Sequence, residues 1–111
     1  MDAFLALAEP TRRNIMEMLA SNGSLAASDI YSKFKTTPAA ISQHLKVLRE
    51  ARLVRVEKRA QKRIYYVNQE PMKELENWIK RFTQDMQERH DRLETLLQKQ
   101  MVELENKKEK K

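Results

Sequence analysis

The sequence predicts a mostly α-helical fold that carries one small β-hairpin, an α+β architecture. Apolar residues recur every three or four positions along most of the 111 residues, which is the period of amphipathic helices. Two short runs between residues 53 and 67 are rich in β-branched and aromatic residues, which favours paired strands. From Pro71 the helical period continues without interruption to about Leu104. We therefore expect a domain over residues 1–70, a long helix over 71–105 and a charged tail over 106–111.

Three short helices are predicted before residue 35. Phe4 to Ala8 is an apolar run that stops before Pro10, because the residue before a proline disfavours the helical conformation. A second helix over Thr11–Ser21 ends at Gly23, the only glycine of the chain, which suits a left-handed helix end. Ser28–Phe34 has apolar residues at helical spacing and forms the third helix.

A fourth helix is predicted from Pro38 to Ala51, with Thr37 as its N-cap and the proline at the first helical position. Its apolar stripe consists of Ile41, Leu45 and Leu48. The opposite face is small and polar, and consists of Ala39, Ser42, Gln43, Lys46 and Glu50. Small residues let a helix backbone come close to the major groove, and serine and glutamine can hydrogen-bond to base edges. This pattern predicts a helix that reads DNA.

The two strand-like runs that follow this helix are Leu53–Lys58 and Arg63–Val67, with a tip at Arg59–Lys62. Two short helices joined by a tight turn and followed by a two-stranded ribbon form a winged helix-turn-helix. Basic residues at the ribbon tip lie where they can contact phosphates or the minor groove, which supplies affinity more than sequence choice.

The net charge of +6 is concentrated in this part of the chain. Residues 33–63 contain ten basic and two acidic residues, whereas residues 1–32 contain two basic and four acidic ones. The remaining residues are balanced, with ten of each sign. A basic patch that coincides with a helix and a hairpin is the electrostatic pattern of a surface that binds double-stranded DNA. A solvated basic face without a partner is the alternative explanation.

The long C-terminal helix predicts a homodimer. Its apolar residues recur at three and four positions from Met72 to Leu104. Such a helix extends about 50 Å, too far for a domain of this size to cover, so its far half needs a second chain. The alternative is one exposed helix held by ion pairs one turn apart, which Leu93, Leu96 and Leu97 make less favourable.

Several classes of protein are disfavoured by what the sequence lacks. Without cysteine there is no disulfide, thiolate metal site or cysteine nucleophile, and there is no glycine-rich phosphate loop, so we expect no enzyme and no cofactor. No run approaches the roughly 20 apolar residues of a membrane span, and the start lacks the pattern of a signal peptide. We therefore expect a cytoplasmic protein with no membrane partner.

Several short motifs resemble the ArsR-type winged helix-turn-helix repressors of bacteria. They are Ala8–Arg13, Ala40–Ala51, Leu53–Val54 and Arg63–Tyr65, within a likeness that runs from Phe4 to about Tyr66. The resemblance implies a dimer, held by the first and last helices, that binds an operator and blocks transcription until an unknown signal releases it. The carboxyl half, from Trp78 to Leu97, resembles a subgroup that does not depend on metal.

The resemblance and the pattern together give two sets of candidate residues. The DNA-binding set is Thr37, Ala39, Ser42, Gln43, His44, Lys46, Arg59, Gln61, Lys62 and Arg63. The dimerisation set is Phe4, Leu5, Trp78, Phe82, Met86, His90, Leu93 and Leu97. His44 lies at the edge of the apolar stripe, so partial burial against the preceding helix and a phosphate contact are equally open.

Two residues depart from the family's pattern. Arg52 and Ala60 stand where these proteins commonly have glycine, after the reading helix and in the wing. A residue other than glycine in the left-handed conformation costs up to about 1 kcal/mol. We expect a slightly altered turn after the helix and at the tip.

Two other functions remain as alternatives. One is a metal-responsive repressor that uses His90 with Asp85, Asp91 and Glu94, although one histidine per chain makes a poor transition-metal site. The other is an interaction module whose long helix pairs with a different protein. Whether His90 senses pH or metal, or only packs, is left open by the sequence. RNA is disfavoured, because a helix cannot enter the deep groove of A-form RNA.

Overall fold

The structure is a computed structural model that describes residues 2–109, with side chains described as far as residue 107. Its elements, in chain order, are α1 (Ala3–Ala6), α2 (Pro10–Asn22), β1 (Leu25–Ala26), α3 (Ala27–Ser32), α4 (Pro38–Glu50), β2 (Val54–Arg59), β3 (Lys62–Val67) and α5 (Gln69–Glu109). The predicted fold class, mostly helical with a small hairpin and a long last helix, is therefore confirmed.

The sheet has three antiparallel strands in the order β1-β3-β2. We predicted only the hairpin of β2 and β3, in which Val56 pairs with Tyr65. The third strand pairs Leu25 with Tyr65 and Ala26 with Ile64, and two residues are too few to show the alternation by which strands are recognised. The predicted four-residue tip is also corrected, because Arg59 and Lys62 are paired and only Ala60 and Gln61 form the turn.

One hydrophobic core holds these elements together. The largest fully buried side chains come from α2, α3, α4 and the residue before β2, and they are Ile15, Leu19, Ile30, Ile41, Leu45, Leu48 and Leu53. Burial of each such side chain stabilises the fold by about 1.5–3 kcal/mol. Tyr31 and Phe34 pack against the core while partly exposed, although Phe34 lies beyond the end of α3.

Helix α4 begins and ends with well-defined caps. The Thr37 hydroxyl oxygen accepts the N–H of Ala40 at 3.2 Å, and Pro38 is the first helical residue, as predicted. At the other end the N–H of Arg52 donates to the carbonyl of Arg49 and that of Leu53 to the carbonyl of Leu48, both at 3.0 Å. These two bonds form a Schellman motif, whose middle residue takes the left-handed conformation.

The two positions where glycine was expected do adopt that conformation. Arg52 has φ +63° and Ala60 has φ +56°. Gln61 has no positive φ, so only the first residue of the two-residue turn has a positive φ, which glycine adopts most easily. The turns are therefore kept without glycine, at the cost of local strain.

The chain divides into two compact units, and the boundary falls inside α5, between Leu75 and Glu76. Leu75 is buried in the core of the first unit. The second unit is the remainder of the helix, which is about 50 Å long over the described residues. No helix within residues 2–109 is long and apolar enough to span a membrane.

The helix continues past its predicted end. It includes residues 106–109 of the predicted charged tail, because glutamate and lysine favour helices and no glycine or proline interrupts them. Lys110 and Lys111 lie outside the described residues. The predicted boundaries of the three parts of the chain stay predictions.

Glycine at either strained position should stabilise the protein. Replacing Arg52 or Ala60 by glycine removes the strain of a side chain at positive φ, and we expect the free energy of unfolding to rise by about 0.5–1 kcal/mol. Denaturant unfolding of Arg52→Gly and Ala60→Gly measures this. Arg49→Gly is the matched control, because a glycine inside α4 should destabilise by about 1 kcal/mol. Destabilisation by all three substitutions would show that the turns are not strained.

Candidate nucleic-acid interface

The outward face of α4 and its N-cap present five of the predicted DNA-binding residues. Thr37, Ala39, Ser42, Gln43 and Lys46 are exposed, while the apolar stripe of the same helix is buried in the core. Because that stripe fixes the rotation of the helix, the polar face is held in one orientation relative to the first unit. Its small residues leave room for a close approach by a second surface.

The wing, formed by β2, β3 and their turn, concentrates positive charge at its tip. Arg59 lies directly opposite Lys62, and Lys58 lies opposite Arg63. Like charges facing each other across a strand pair are destabilising, so this arrangement favours a surface that meets an anion. The Arg59 Nη2 atom is 3.4 Å from Glu57 Oε2, which offsets part of the Arg59 charge. Gln61 is exposed in the turn between the strands.

A cleft of about 370 Å³ joins the wing tip to the start of α3. Its lining includes Gln61, Lys62 and Arg63 from the wing and, from the other wall, Ser28 and Tyr31. We did not predict Ser28 or Tyr31 as site residues, because they lie some thirty positions earlier in the chain and no local pattern connects them to the wing. The cleft extends the basic surface towards α3.

His44 is the one predicted DNA contact that faces inward. Its side chain is 24% exposed, and its Nδ1 atom lies 3.3 Å from Nη1 of Arg12 and 3.8 Å from Oε2 of Glu9. His44 is therefore partly buried, as one of the two options proposed, but the contacts of its ring are with Glu9 and Arg12 at the start of α2 and not with the helix that directly precedes α4. A contact of its other ring nitrogen with DNA stays a prediction.

Glu9 caps α2 next to this histidine. Partial burial raises the pKa of the Glu9 carboxyl, but the hydrogen bonds that it accepts, first from the Arg12 N–H and also from Thr11, lower the pKa below its usual value. The carboxylate accepts the Arg12 N–H at 3.1 Å. The charged form of Glu9 is thus favoured where α2 meets α4.

The predicted dimerisation residues are exposed in the isolated chain. Phe4 and Leu5 on α1 are 46% and 63% exposed. The second unit carries the rest of the apolar ones, which are Trp78, Phe82, Met86, Leu93 and Leu97, each about half exposed. The rings of Trp78 and Phe82 are stacked with centroids 5.6 Å apart. Their self-association stays a prediction.

His90 lies one turn from a carboxylate on the same helix. Its Nδ1 atom is 3.5 Å from Glu94 Oε1, and with Asp91 these side chains bring three potential ligand atoms within 4.8 Å of one another. All three are exposed, and clusters of exposed acidic groups are common without a metal. Three such ligands fall short of the closed four-ligand sites that structural zinc requires, so this cluster adds little to the metal-responsive alternative.

Comparison with known proteins gives consistent matches. Residues 9–56 match the model of the arsR family of bacterial regulatory proteins. The chain is 31% identical over 81 residues to the transcriptional repressor SdpR of Bacillus subtilis, covering 73% of this chain and 89% of that protein. It is 34% identical over 74 residues to a helix-turn-helix transcriptional regulator of Methanocaldococcus jannaschii, covering 67% and 83% of the two chains. A crystal structure described as a possible transcriptional regulator for arsenical resistance matches with a TM-score of 0.67 and 34% identity, over 74% of this chain and 84% of that one.

The helix-turn-helix, the basic wing and these matches define a DNA-binding transcriptional regulator, which is not an enzyme. The chain belongs to the ArsR family.

Gln43→Ala and Lys62→Ala should weaken DNA binding in different ways. Loss of a base contact from Gln43 should cost about 1–3 kcal/mol on the preferred sequence and little on random DNA. Loss of a phosphate contact from Lys62 should weaken binding to both DNAs and reduce the slope of log affinity against log salt by about one. Fluorescence anisotropy titrations at several salt concentrations measure both effects. Equal losses on the two DNAs for Gln43→Ala would show that α4 does not read bases.

Proposed function

We propose that this protein is a homodimeric repressor that binds an inverted-repeat operator, with one α4 helix in the major groove of each half-site. The observation that carries this proposal is the pairing of a small, polar, outward face on α4 with a wing whose tip sets like charges against one another. The name of the similar protein SdpR, a transcriptional repressor, supports repression as the direction of control.

Base reading is assigned to Ser42 and Gln43. Both are exposed on the first half of α4, the part of a recognition helix that contacts base edges in helix-turn-helix proteins. Ala39 lets the backbone approach, and Lys46 further along the same face suits a phosphate. The sequence preference would therefore come from two side chains per half-site, with the remaining contacts setting position.

Phosphate binding is assigned to the wing. Arg59 and Lys62 face each other across the strand pair, and a phosphate between them would relieve their mutual repulsion. Arg63, paired with Lys58, adds positive charge on the opposite face of the wing. Ser28 and Tyr31, on the other wall of the cleft beside the wing tip, offer hydroxyl groups to the phosphates of the same DNA strand. These contacts supply affinity that depends on salt and not on sequence.

Dimerisation is assigned to the apolar face of α5 together with Phe4 and Leu5 of α1. Large apolar residues recur along the second unit as far as Leu104, and each is at least about half exposed. Contiguous apolar surface beyond a few hundred Å² is unusual on a monomer and marks an interaction site. The ion pairs of this helix, such as Glu76 with Lys80 at 2.9 Å, are exposed and contribute little to the stability of a lone helix. The partner that we propose for this face is a second copy of the chain. We place the protein in the cytoplasm, where it can reach chromosomal DNA.

A two-fold dimer presents two reading helices in opposite directions. If they enter successive major grooves on one side of the duplex, their centres are about 34–36 Å apart, one helical turn of DNA. The operator is then an imperfect inverted repeat. Selecting bound fragments from a random duplex library and sequencing them tests this, because a single asymmetric half-site in the selected sequences would contradict a dimer.

A charge on the apolar face of α5 should dissociate the dimer. Phe82→Glu removes an apolar contact from both protomers, which should cost at least about 3 kcal/mol, and adds two like charges to the interface. Gln84→Glu is the matched control, because it adds the same charge on the opposite face of the helix. Sedimentation velocity at micromolar concentration should show dimers for wild type and Gln84→Glu and monomers for Phe82→Glu.

The same variants test the link between dimer and operator. Joining two half-sites through a dimer multiplies affinity by roughly 10²–10⁴, so Phe82→Glu should lose that factor on the selected duplex. A monomeric wild-type protein that still binds the selected duplex tightly would overturn the proposed assembly. It would leave a helix that pairs with a different protein as the better explanation of the apolar face.

A further inference from the structure

The side chain of Arg12, near the start of α2, contacts two other helices at once. Its Nε atom donates to the carbonyl of Ala6 at 2.5 Å and its Nη2 atom to the carbonyl of Leu5 at 3.3 Å, both at the end of α1. Its Nη1 atom lies 3.3 Å from Nδ1 of His44 on α4. One guanidinium therefore joins the end of α1 to the middle of α4.

The chemistry of these groups fixes the direction of the contact with His44. A guanidinium carries five N–H donors and no acceptor, so the Nδ1 atom of His44 must accept the hydrogen bond. This hydrogen bond therefore requires the tautomer of His44 whose ring proton is on Nε2. The carboxylate of Glu9 lies 3.8 Å from the same Nδ1 atom and accepts the backbone N–H of Arg12 at 3.1 Å.

The neighbouring arginine makes a useful comparison. Arg13 donates from Nη1 to the carbonyls of Leu7 at 2.8 Å and Ala8 at 3.1 Å, just after α1. The last carbonyls of a helix lack partners within the helix, and both arginines satisfy carbonyls at this end of α1. Only Arg12, however, also has a hydrogen bond to α4 in the described structure. Both arginines thus bind carbonyls at the end of α1, and Arg12 alone of the two also contacts His44.

We propose that Arg12 is a positioning residue that couples α1, through His44, to the reading face of α4. This inference rests on the proposed function, in which α1 contributes Phe4 and Leu5 to the dimer. His44 is adjacent in the chain to Gln43, so a displacement of α1 that moves Arg12 changes the position of the residue next to a base-reading side chain. Formation of the dimer and orientation of the reading helix are thereby linked through one hydrogen-bonded side chain.

Two substitutions of His44 separate this role from a DNA contact by the same residue. His44→Asn places an amide oxygen near the position of Nδ1, where it can accept from Arg12. His44→Gln places its amide nearer the position of Nε2 and leaves Arg12 without that acceptor. If His44 contacts DNA through Nε2, His44→Gln keeps that DNA contact. If His44 acts through Arg12, His44→Asn keeps the hydrogen bond from Arg12.

The experiment is a set of double-mutant cycles on the full-length chain. Arg12→Met is introduced into the wild type, His44→Asn and His44→Gln, and each protein is titrated with the duplex selected by the wild type and with a random-sequence duplex at one salt concentration. Arg13→Met is carried through the same three backgrounds as the control. Arg12→Lys, which keeps the charge but replaces the fork by one ammonium group, provides a second and milder variant. Denaturant unfolding confirms that each protein is folded.

We expect Arg12→Met to weaken binding to the selected duplex by about fivefold or more in the wild-type and His44→Asn backgrounds, and by less than about twofold in His44→Gln. The random duplex should show a smaller and uniform loss. Arg13→Met should have the same effect in all three backgrounds. Nitrogen-15 NMR of the His44 ring should show an unprotonated Nδ1 atom in the wild type and a shifted signal in Arg12→Met.

An equal loss from Arg12→Met in all three backgrounds would overturn the inference, as would equal losses on the selected and random duplexes. Either result leaves the proposed function standing if the wild type is a dimer that selects an inverted repeat. A wild type that is monomeric or selects no sequence defeats the proposed function, and the inference with it.

Discussion

The apolar face of α4 is the constraint on which the rest of the first unit depends. Ile41, Leu45 and Leu48 are at most 1% exposed, and they pack against a core supplied by α2, α3 and the chain leading into β2. Rotating the helix by one residue would expose part of this stripe and forfeit several kcal/mol. The polar face is therefore held outward by burial of the opposite face. Packing of the core therefore sets which residues of α4 can contact DNA.

The end of the same helix sets the direction of the wing. The two hydrogen bonds of the Schellman motif turn the chain at Arg52, and Leu53 is fully buried directly afterwards. Asn68, which follows β3, donates from its side chain to the carbonyl of Arg52 at 2.9 Å, so both ends of the hairpin are tied to this turn. The strained backbone at Arg52 is compensated by these contacts. The hydrogen bonds at Arg52, together with the pairing of the strands, therefore hold the wing beside α4.

Much of this arrangement could be predicted from the sequence, and what could not has a physical explanation. The N-cap at Thr37 and the stripe of α4 are local features, and local patterns encode them. Arg52 and Ala60 keep a positive φ, although the missing glycines predicted an altered turn at both positions. Strand β1, the cleft wall at Ser28 and Tyr31, and the bond from Arg12 to His44 join residues distant in the chain, and no short-range pattern reports such contacts. The apolar period predicts a helix only to about Leu104, whereas α5 continues to Glu109, because glutamate and lysine favour helices without adding to an apolar pattern.

We propose that two copies of the first unit, joined through α1 and α5, read two half-sites on one side of a duplex. Binding to the selected inverted repeat with about five base pairs inserted between its half-sites tests this directly, since half a helical turn moves one half-site to the far side of the DNA. The same number of base pairs added outside the half-sites serves as the control. We expect the central insertion to lower affinity by roughly 10²–10⁴ and the outer insertion to have no effect. Unchanged affinity after the central insertion would contradict it.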